Sequence, residues 1–145
     1  MIRVLIPSCK NHDFIPMQVK SFVKHCKDDF KITVLTDGLD DGQSALIREA
    51  CLESNVECID VPKNLIHSSA SVAHCAVVQW AYDEIVLKGC MGDIVVMLDS
   101  DMFMVRDFSF SELVGDFAFA GLPQYRGPIK YYFMGFLVLN MPKLP

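Results

Sequence analysis

The sequence predicts an α/β domain with a mainly parallel sheet flanked by helices, and two observations carry that prediction. Short apolar runs of strand length alternate along the chain with segments of helical periodicity, the order expected of βαβ units. Those runs are apolar throughout rather than at every second residue, as strands buried on both faces of a parallel sheet are. With 145 residues, 52% of them apolar, the chain has a core's worth of material for one domain, 1–145, and not for two.

Ile2 to Pro7 is the first such run. Ile15 to Cys26 then carries Ile15, Val19, Phe22, Val23 and Cys26 at helical spacing with lysines between them. Ile32 to Leu35 is a second short strand, stopped by the turn signals Thr36-Asp37-Gly38 and Asp41-Gly42. Ser44 to Glu53 reads as a helix with Ala45, Leu46, Ala50 and Leu52 turned inward, and Val56 to Val61 as a third strand closed by Pro62. A polar loop from Lys63 to Ser69 leads into a long helix reaching Leu87. Lys88-Gly89 stops that helix, and Ala73, Val77, Val78, Trp80 and Ala81 are its core residues. The strand Ile94 to Leu98 follows, then strands over Phe117 to Gly121 and Tyr132 to Leu139. Between these last two, Pro123 to Lys130 reads as a loop carrying Arg126.

Composition removes several functions. Thirteen Lys and Arg against 18 Asp and Glu give a net charge of −5, with no basic block, so no nucleic-acid partner is expected. No window approaches ~18 uninterrupted apolar residues, so no transmembrane segment is expected either. The N-terminus shows no secretory pattern. The 6 cysteines form no Cys-x-x-Cys pair and no zinc spacing, and we read them as reduced core thiols of a cytoplasmic protein.

The chemistry concentrates where the apolar run Ile94 to Leu98 ends in Asp99-Ser100-Asp101. Carboxylates two apart just past a buried strand can both reach one hard divalent cation. In open α/β sheets ligands bind outside the carboxyl ends of the strands. Ser8, Cys9, Asp37, Asp99 and Asp101 all fall at such ends, so one crevice should collect them.

In this order the motifs Val4-Leu5-Ile6-Pro7-Ser8-Cys9, Val34-Leu35-Thr36-Asp37-Gly38 and Val96-Met97-Leu98-Asp99-Ser100-Asp101 resemble the nucleotide-binding half of a GT-A glycosyltransferase. The resemblance implies a Rossmann-like GT-A domain. Its ligand would be a nucleotide-sugar donor, typically a UDP-sugar, and its cofactor Mn²⁺ or Mg²⁺. It further implies that Pro7, Ser8 and Cys9 line base and ribose, and that Asp37 accepts a hydrogen bond from the base. Asp99 and Asp101 would hold the metal, Asp101 directly and Asp99 in part through ribose or water. His74, early in the long helix with Ser68, Ser69 and Ser71, stands about where related enzymes place a donor-contacting Arg. Arg126, ahead of Arg106 and Lys130, is the candidate for donor or phosphate contact. Gly135 falls in the family strand where a Gly admits the acceptor to the backbone.

The acceptor would be a hydroxyl of a glycan, lipid or protein. The chain ends soon after Tyr132 to Leu139, so the acceptor-binding part is expected beyond Pro145, with the catalytic base unassigned and Asp116 the first residue to try. Without that part, the strand Tyr132 to Leu139 should lie near an incomplete sheet, with a possible homo-oligomer as the result. Two alternatives stand beside transfer. One is a module or inactive fragment that binds nucleotide-sugar without turnover. The other is a haloacid-dehalogenase-type phosphatase with Asp99 as nucleophile and Asp101 as acid.

Overall fold

The computed structural model describes residues 1–36, 40–65 and 69–145. Six strands form one sheet in the order β3-β2-β1-β4-β6-β5. Strands β1 (Ile2–Ser8), β2 (Phe30–Thr36), β3 (Glu57–Asp60) and β4 (Ile94–Leu98) are parallel, while β6 (Ile129–Asn140) runs antiparallel to β4 and β5 (Phe119–Arg126) antiparallel to β6. The expected α/β class with a mainly parallel sheet is what forms.

Strand parity splits the core in two. Val4 and Ile6 of β1, Val34 of β2 and Val96 and Leu98 of β4 face α1 (Phe14–His25) and α2 (Asp41–Glu53), with Phe22 and Ile47 fully buried among them. Leu5, Leu35, Val95 and Met97 point the other way, onto Val77, Val78 and Ala81 of α3 (Ala70–Ala81). Each fully buried side chain of this size stabilises the fold by roughly 1.5–3 kcal/mol. The helix of α3 continues through a π-helical turn, Tyr82–Val86, into α4 (Leu87–Gly89), so the long helix ends at the expected glycine.

The inner faces of α1 and α2 differ from the expected ones. On α1 the buried positions are Ile15, Gln18 and Phe22, whereas Val23 is 72% exposed. The polar Gln18 thus faces inward while the apolar Val23 faces solvent. On α2, Ser44, Ile47, Ala50 and Cys51 face inward, while Ala45, Leu46 and Leu52 are exposed. Asp41-Gly42 is the first turn of α2 rather than a separate turn, because the Asp40 side chain caps the helix by accepting from Gln43 N at 2.8 Å.

The larger correction lies at the C-terminal end. Pro123 to Lys130 is not a loop: residues through Arg126 belong to β5, which pairs with β6 in a hairpin, Arg126 opposite Ile129. Nor does β6 lie at an incomplete edge, since β4 and β5 flank it and β5 is the edge strand. A short helix, α5 (Phe110–Val114), covers this end of the sheet on the α1 side, with Phe110 stacked on Phe22 at 5.9 Å. Among the cysteines only Cys51 and Cys90 are buried; Cys75 is exposed, so it is not a core thiol, and no disulfide links any pair. Among the described residues no helix is long and apolar enough to cross a membrane.

Candidate functional site

Register decides which residues meet. Leu5 pairs with Met97, so Asp99, two residues on, leaves β4 level with Pro7, and Ser8 sits opposite Thr36 of β2. Pro7, Ser8, Asp99 and Asp101 therefore gather at the carboxyl end of adjacent strands, as expected. Asp37 and Ser68 lie outside the described residues.

The Asp99-Ser100-Asp101 segment is fastened from several elements. Gln18, 1% exposed on α1, donates from Nε2 to Asp99 O at 3.0 Å and to Met102 O at 2.8 Å. Asn11, in the loop after β1, donates to Ser100 Oγ at 3.1 Å. Asp99 N donates to Gly135 O at 2.9 Å, and Met102 N to Asp99 O at 3.2 Å closes the turn. The two aspartates consequently differ. Asp99 is half-buried with its backbone tied at both N and O, whereas Asp101 lies exposed in the turn.

Gly135 is required by space rather than by backbone conformation. A Cβ there would stand 2.0 Å from Asp99 Oδ2, 2.4 Å from its Cγ and 2.5 Å from Phe133 Cζ. The glycine makes room for the Asp99 carboxylate itself. On the α3 side His74 Nε2 approaches Asp99 Oδ1 at 3.5 Å. Burial pushes the Asp99 carboxyl above its ordinary range; His74 opposes that shift and Asp101 adds to it.

Nearby hydroxyls are left without partners. Ser8 Oγ and Thr36 Oγ1, both buried, and His12 Nδ1 in the loop after β1 have no hydrogen-bond partner among the described residues. Three of the four such buried side-chain atoms thus sit at this one end of the sheet, the other being Ser54 Oγ. Buried polar groups are seldom left so, and a polar ligand at this rim would satisfy them.

Of the remaining candidates Cys9 stays at this rim and the others go elsewhere. Cys9 is half-buried at the end of β1. Arg126 stands at the hairpin tip, separated from Gly135 by six residues of β6, about 20 Å of extended strand. Lys130 is there too, 5.8 Å over the Tyr125 ring. Arg106 lies exposed on the rim of an aromatic cleft on the α1 side. Asp116 pairs with Lys143 at 3.6 Å in the α5–β5 turn, at the amino end of β4, and so has no place beside Asp99. Gln18 was missed because its partners are more than eighty residues away, although an uncharged polar residue in the middle of an apolar helix face is a signal.

No protein-family model matches the chain, and no curated protein matches its sequence. Solved structures do match. The galactosyltransferase LgtC in complex with donor and acceptor sugar analogs aligns with a TM-score of 0.60 at 21% identity, over 97% of this chain and 58% of that one. An active-site mutant of LgtC gives 0.62 at 18% identity over the same shares. Glucosyl-3-phosphoglycerate synthase from Mycobacterium tuberculosis, in complex with phosphoglyceric acid, gives 0.51 at 20%, over 88% of this chain and 45% of that one.

The chain has the GT-A fold. This GT-A domain spans 58% of the length of LgtC. Its carboxylates follow β4 at the carboxyl end of the sheet, flanked by an antiparallel β6 whose Gly135 leaves room for that of Asp99.

Among the described residues no group of three or more His, Cys, Asp or Glu side chains is arranged to hold a metal. A GT-A domain with two carboxylates here instead fits the mode in which Mg²⁺ or Mn²⁺ takes one or two protein oxygens and fills its shell with phosphate and water.

Proposed function

We propose that this chain binds a nucleotide-sugar of the uridine diphosphate type together with Mn²⁺ or Mg²⁺, and serves transfer of the sugar to an acceptor hydroxyl. The observation that carries the reading is Asp99, its backbone carbonyl held by Gln18 and its carboxylate seated in the gap at Gly135, at the carboxyl end of a GT-A sheet. Asp99 and Asp101 are the residues that would hold the cation. When bound, such a cation neutralises charge on the departing nucleoside diphosphate. Burial already makes a bare carboxylate at Asp99 costly, and a positive charge beside it removes that cost.

The orphan hydroxyls of Ser8 and Thr36 support a nucleoside beside the cation, with Pro7 and Cys9 as the neighbouring wall. Asp37, next along the chain, is assigned the base. His74 reaches the Asp99 carboxylate from α3 and is the side chain we assign to the sugar-phosphate side. Arg126 loses its assignment to phosphate, since the hairpin carries it away from the carboxylates.

Titration calorimetry with UDP, with and without Mn²⁺, tests the reading. Binding that needs the cation and is lost in Asp101→Asn supports it. Equal UDP affinity in excess EDTA refutes it.

A further inference from the structure

Two thiols meet where α2 turns back into the sheet. Asn55, at a φ of 54°, ends α2 in the left-handed region, with Asn55 N donating to Leu52 O at 3.1 Å and Val56 N to Cys51 O at 3.0 Å. That pair of bonds is the Schellman arrangement, which fixes the path of the chain out of a helix. It folds β3 directly back over the last turns of α2, so Cys58, opposite Val34 of β2, faces α2 and packs in the same core as Cys51. The two sulfurs are in hydrogen-bonding contact, and no movement of α2 past β3 is needed to join them. Cys26 and Cys90 direct their thiols to the carbonyls of Asp28 and Ile85 instead.

The two partners differ in access and in charge. Cys51 is 1% exposed, whereas Cys58 is half-buried on β3, the outermost strand of the sheet. The hydrogen bond with Cys58, and burial after it, hold the Cys51 thiol protonated and raise it above the ordinary range. The same bond lowers Cys58, against burial and Asp60 and with help from the Arg48 guanidinium. A thiolate is the nucleophile in exchange with disulfides, and an accessible one beside a second thiol is what a thiol-redox site requires. A solitary thiol would stop at the first adduct.

We propose that Cys51 and Cys58 are a dithiol modification site whose reagent is a small-molecule disulfide such as oxidised glutathione. The Cys58 thiolate attacks one sulfur of the reagent, whose S–S bond breaks and releases one thiolate. Cys51 then gives up its proton and attacks the Cys58 sulfur, expelling the second thiolate. Two protein thiols are thereby oxidised by two electrons to one disulfide, and the reagent is reduced to two thiols, which take up the two protons of the pair. The new bond ties α2 to β3 on the α1–α2 side of the sheet, whereas Asp99 meets His74 on the α3 side. The site therefore stands apart from the donor-binding function proposed above and does not depend on it.

The test treats the whole reduced chain with oxidised glutathione at mildly alkaline pH and blocks the remaining thiols with iodoacetamide. Products are mapped by mass spectrometry after cleavage at Glu53 and Glu57, which separates the two cysteines unless they are bonded. The parent should lose two hydrogens at this pair and keep the halves joined. Cys51→Ala should instead retain a glutathionyl group on Cys58, at least tenfold more of it than the parent does. In Cys58→Ser the buried Cys51 should stay unmodified, while the exposed Cys75 reports that the reagent was active in every sample. The parent alone shows whether the bond forms, and thermal melts identify a variant that folds poorly. The proposal is overturned if the parent keeps glutathione on Cys58 without the link, if Cys58 stays free while Cys75 is modified, or if the link appears only after urea unfolds the chain.

Discussion

Replacing Gly135 by alanine separates the site from the fold. The new Cβ would lie 2.0 Å from Asp99 Oδ2, and ordinary contact begins near 3.4 Å, so the oxygen must retreat by about 1.4 Å. Metal–oxygen distances tolerate only about 0.2 Å, so a carboxylate displaced that far no longer serves the cation. The Asp99 side chain is 27% exposed and can turn away, with Phe133 following, which keeps the folding cost near 1 kcal/mol, a melting shift of roughly 2–6 °C. Affinity for UDP·Mn²⁺ should fall far more, by about 30-fold or about 2 kcal/mol. Gly121→Ala is the control. Its Cβ would touch Tyr132 at 3.3 Å on the same hairpin but lies away from Asp99, so it should lower the melting temperature slightly and leave donor affinity alone. Calorimetry and thermal melts on both variants decide the matter. If Gly135→Ala binds UDP·Mn²⁺ within twofold of the parent, the argument that Gly135 exists to seat Asp99 is wrong.

Asp99→Asn and Asp101→Asn should each reduce Mn²⁺-dependent UDP binding at least tenfold while shifting the melt by under ~3 °C, read by calorimetry and differential scanning. Gln18→Leu strands the Met102 carbonyl and leaves the Asp99 carbonyl only the Met102 N–H, costing about 1–3 kcal/mol in denaturant titration, and should weaken donor binding through the loosened turn. Arg126→Ala should leave UDP·Mn²⁺ affinity unchanged, because the hairpin tip stands apart from the carboxylates. Asp93 provides a pH test away from the site. A hydrogen bond from Arg3 at 2.9 Å and the Met1 amino group at 3.2 Å hold its carboxyl below the ordinary range despite partial burial. Its contribution is therefore complete above the unfolded carboxylate pKa and fades as pH falls through the lower folded one. Asp93→Asn should cost about 1–2 kcal/mol at pH 7, with the gap to the parent closing as pH drops below about 4.

The sheet was legible in the sequence because burial on both faces writes itself as an unbroken apolar run, and β1, β2 and β4 all carry one. What stayed illegible depended on residues far apart in the chain. The tip of the β5–β6 hairpin contains Arg126, Gly127, Pro128 and Lys130, which locally spell a loop, and only cross-strand pairing turns Pro123 to Arg126 into a strand. The inner face of α2 was misread because Leu46 and Leu52 are hydrophobic but lie on its outer side, whereas Ser44 faces the sheet. Hydropathy alone does not fix the phase of a helix with so weak a stripe.

The two aspartates were found together because their spacing looked like one motif, but the structure gives them unequal surroundings. Asp99 still follows the parity of β4, which turns its carboxylate to the α3 side beside His74, and Gln18 and Gly135 hold its backbone. By Asp101 the chain has turned, and that side chain is free in solvent. A cation bound between them would therefore find one ligand already in position and recruit the other by ordering it. Binding should be governed at the fixed end by packing, where Gly135→Ala acts, and at the free end by charge, where Asp101→Asn acts. Because the two substitutions disturb the same ion from different ends, their effects on UDP·Mn²⁺ affinity should combine to much less than their sum.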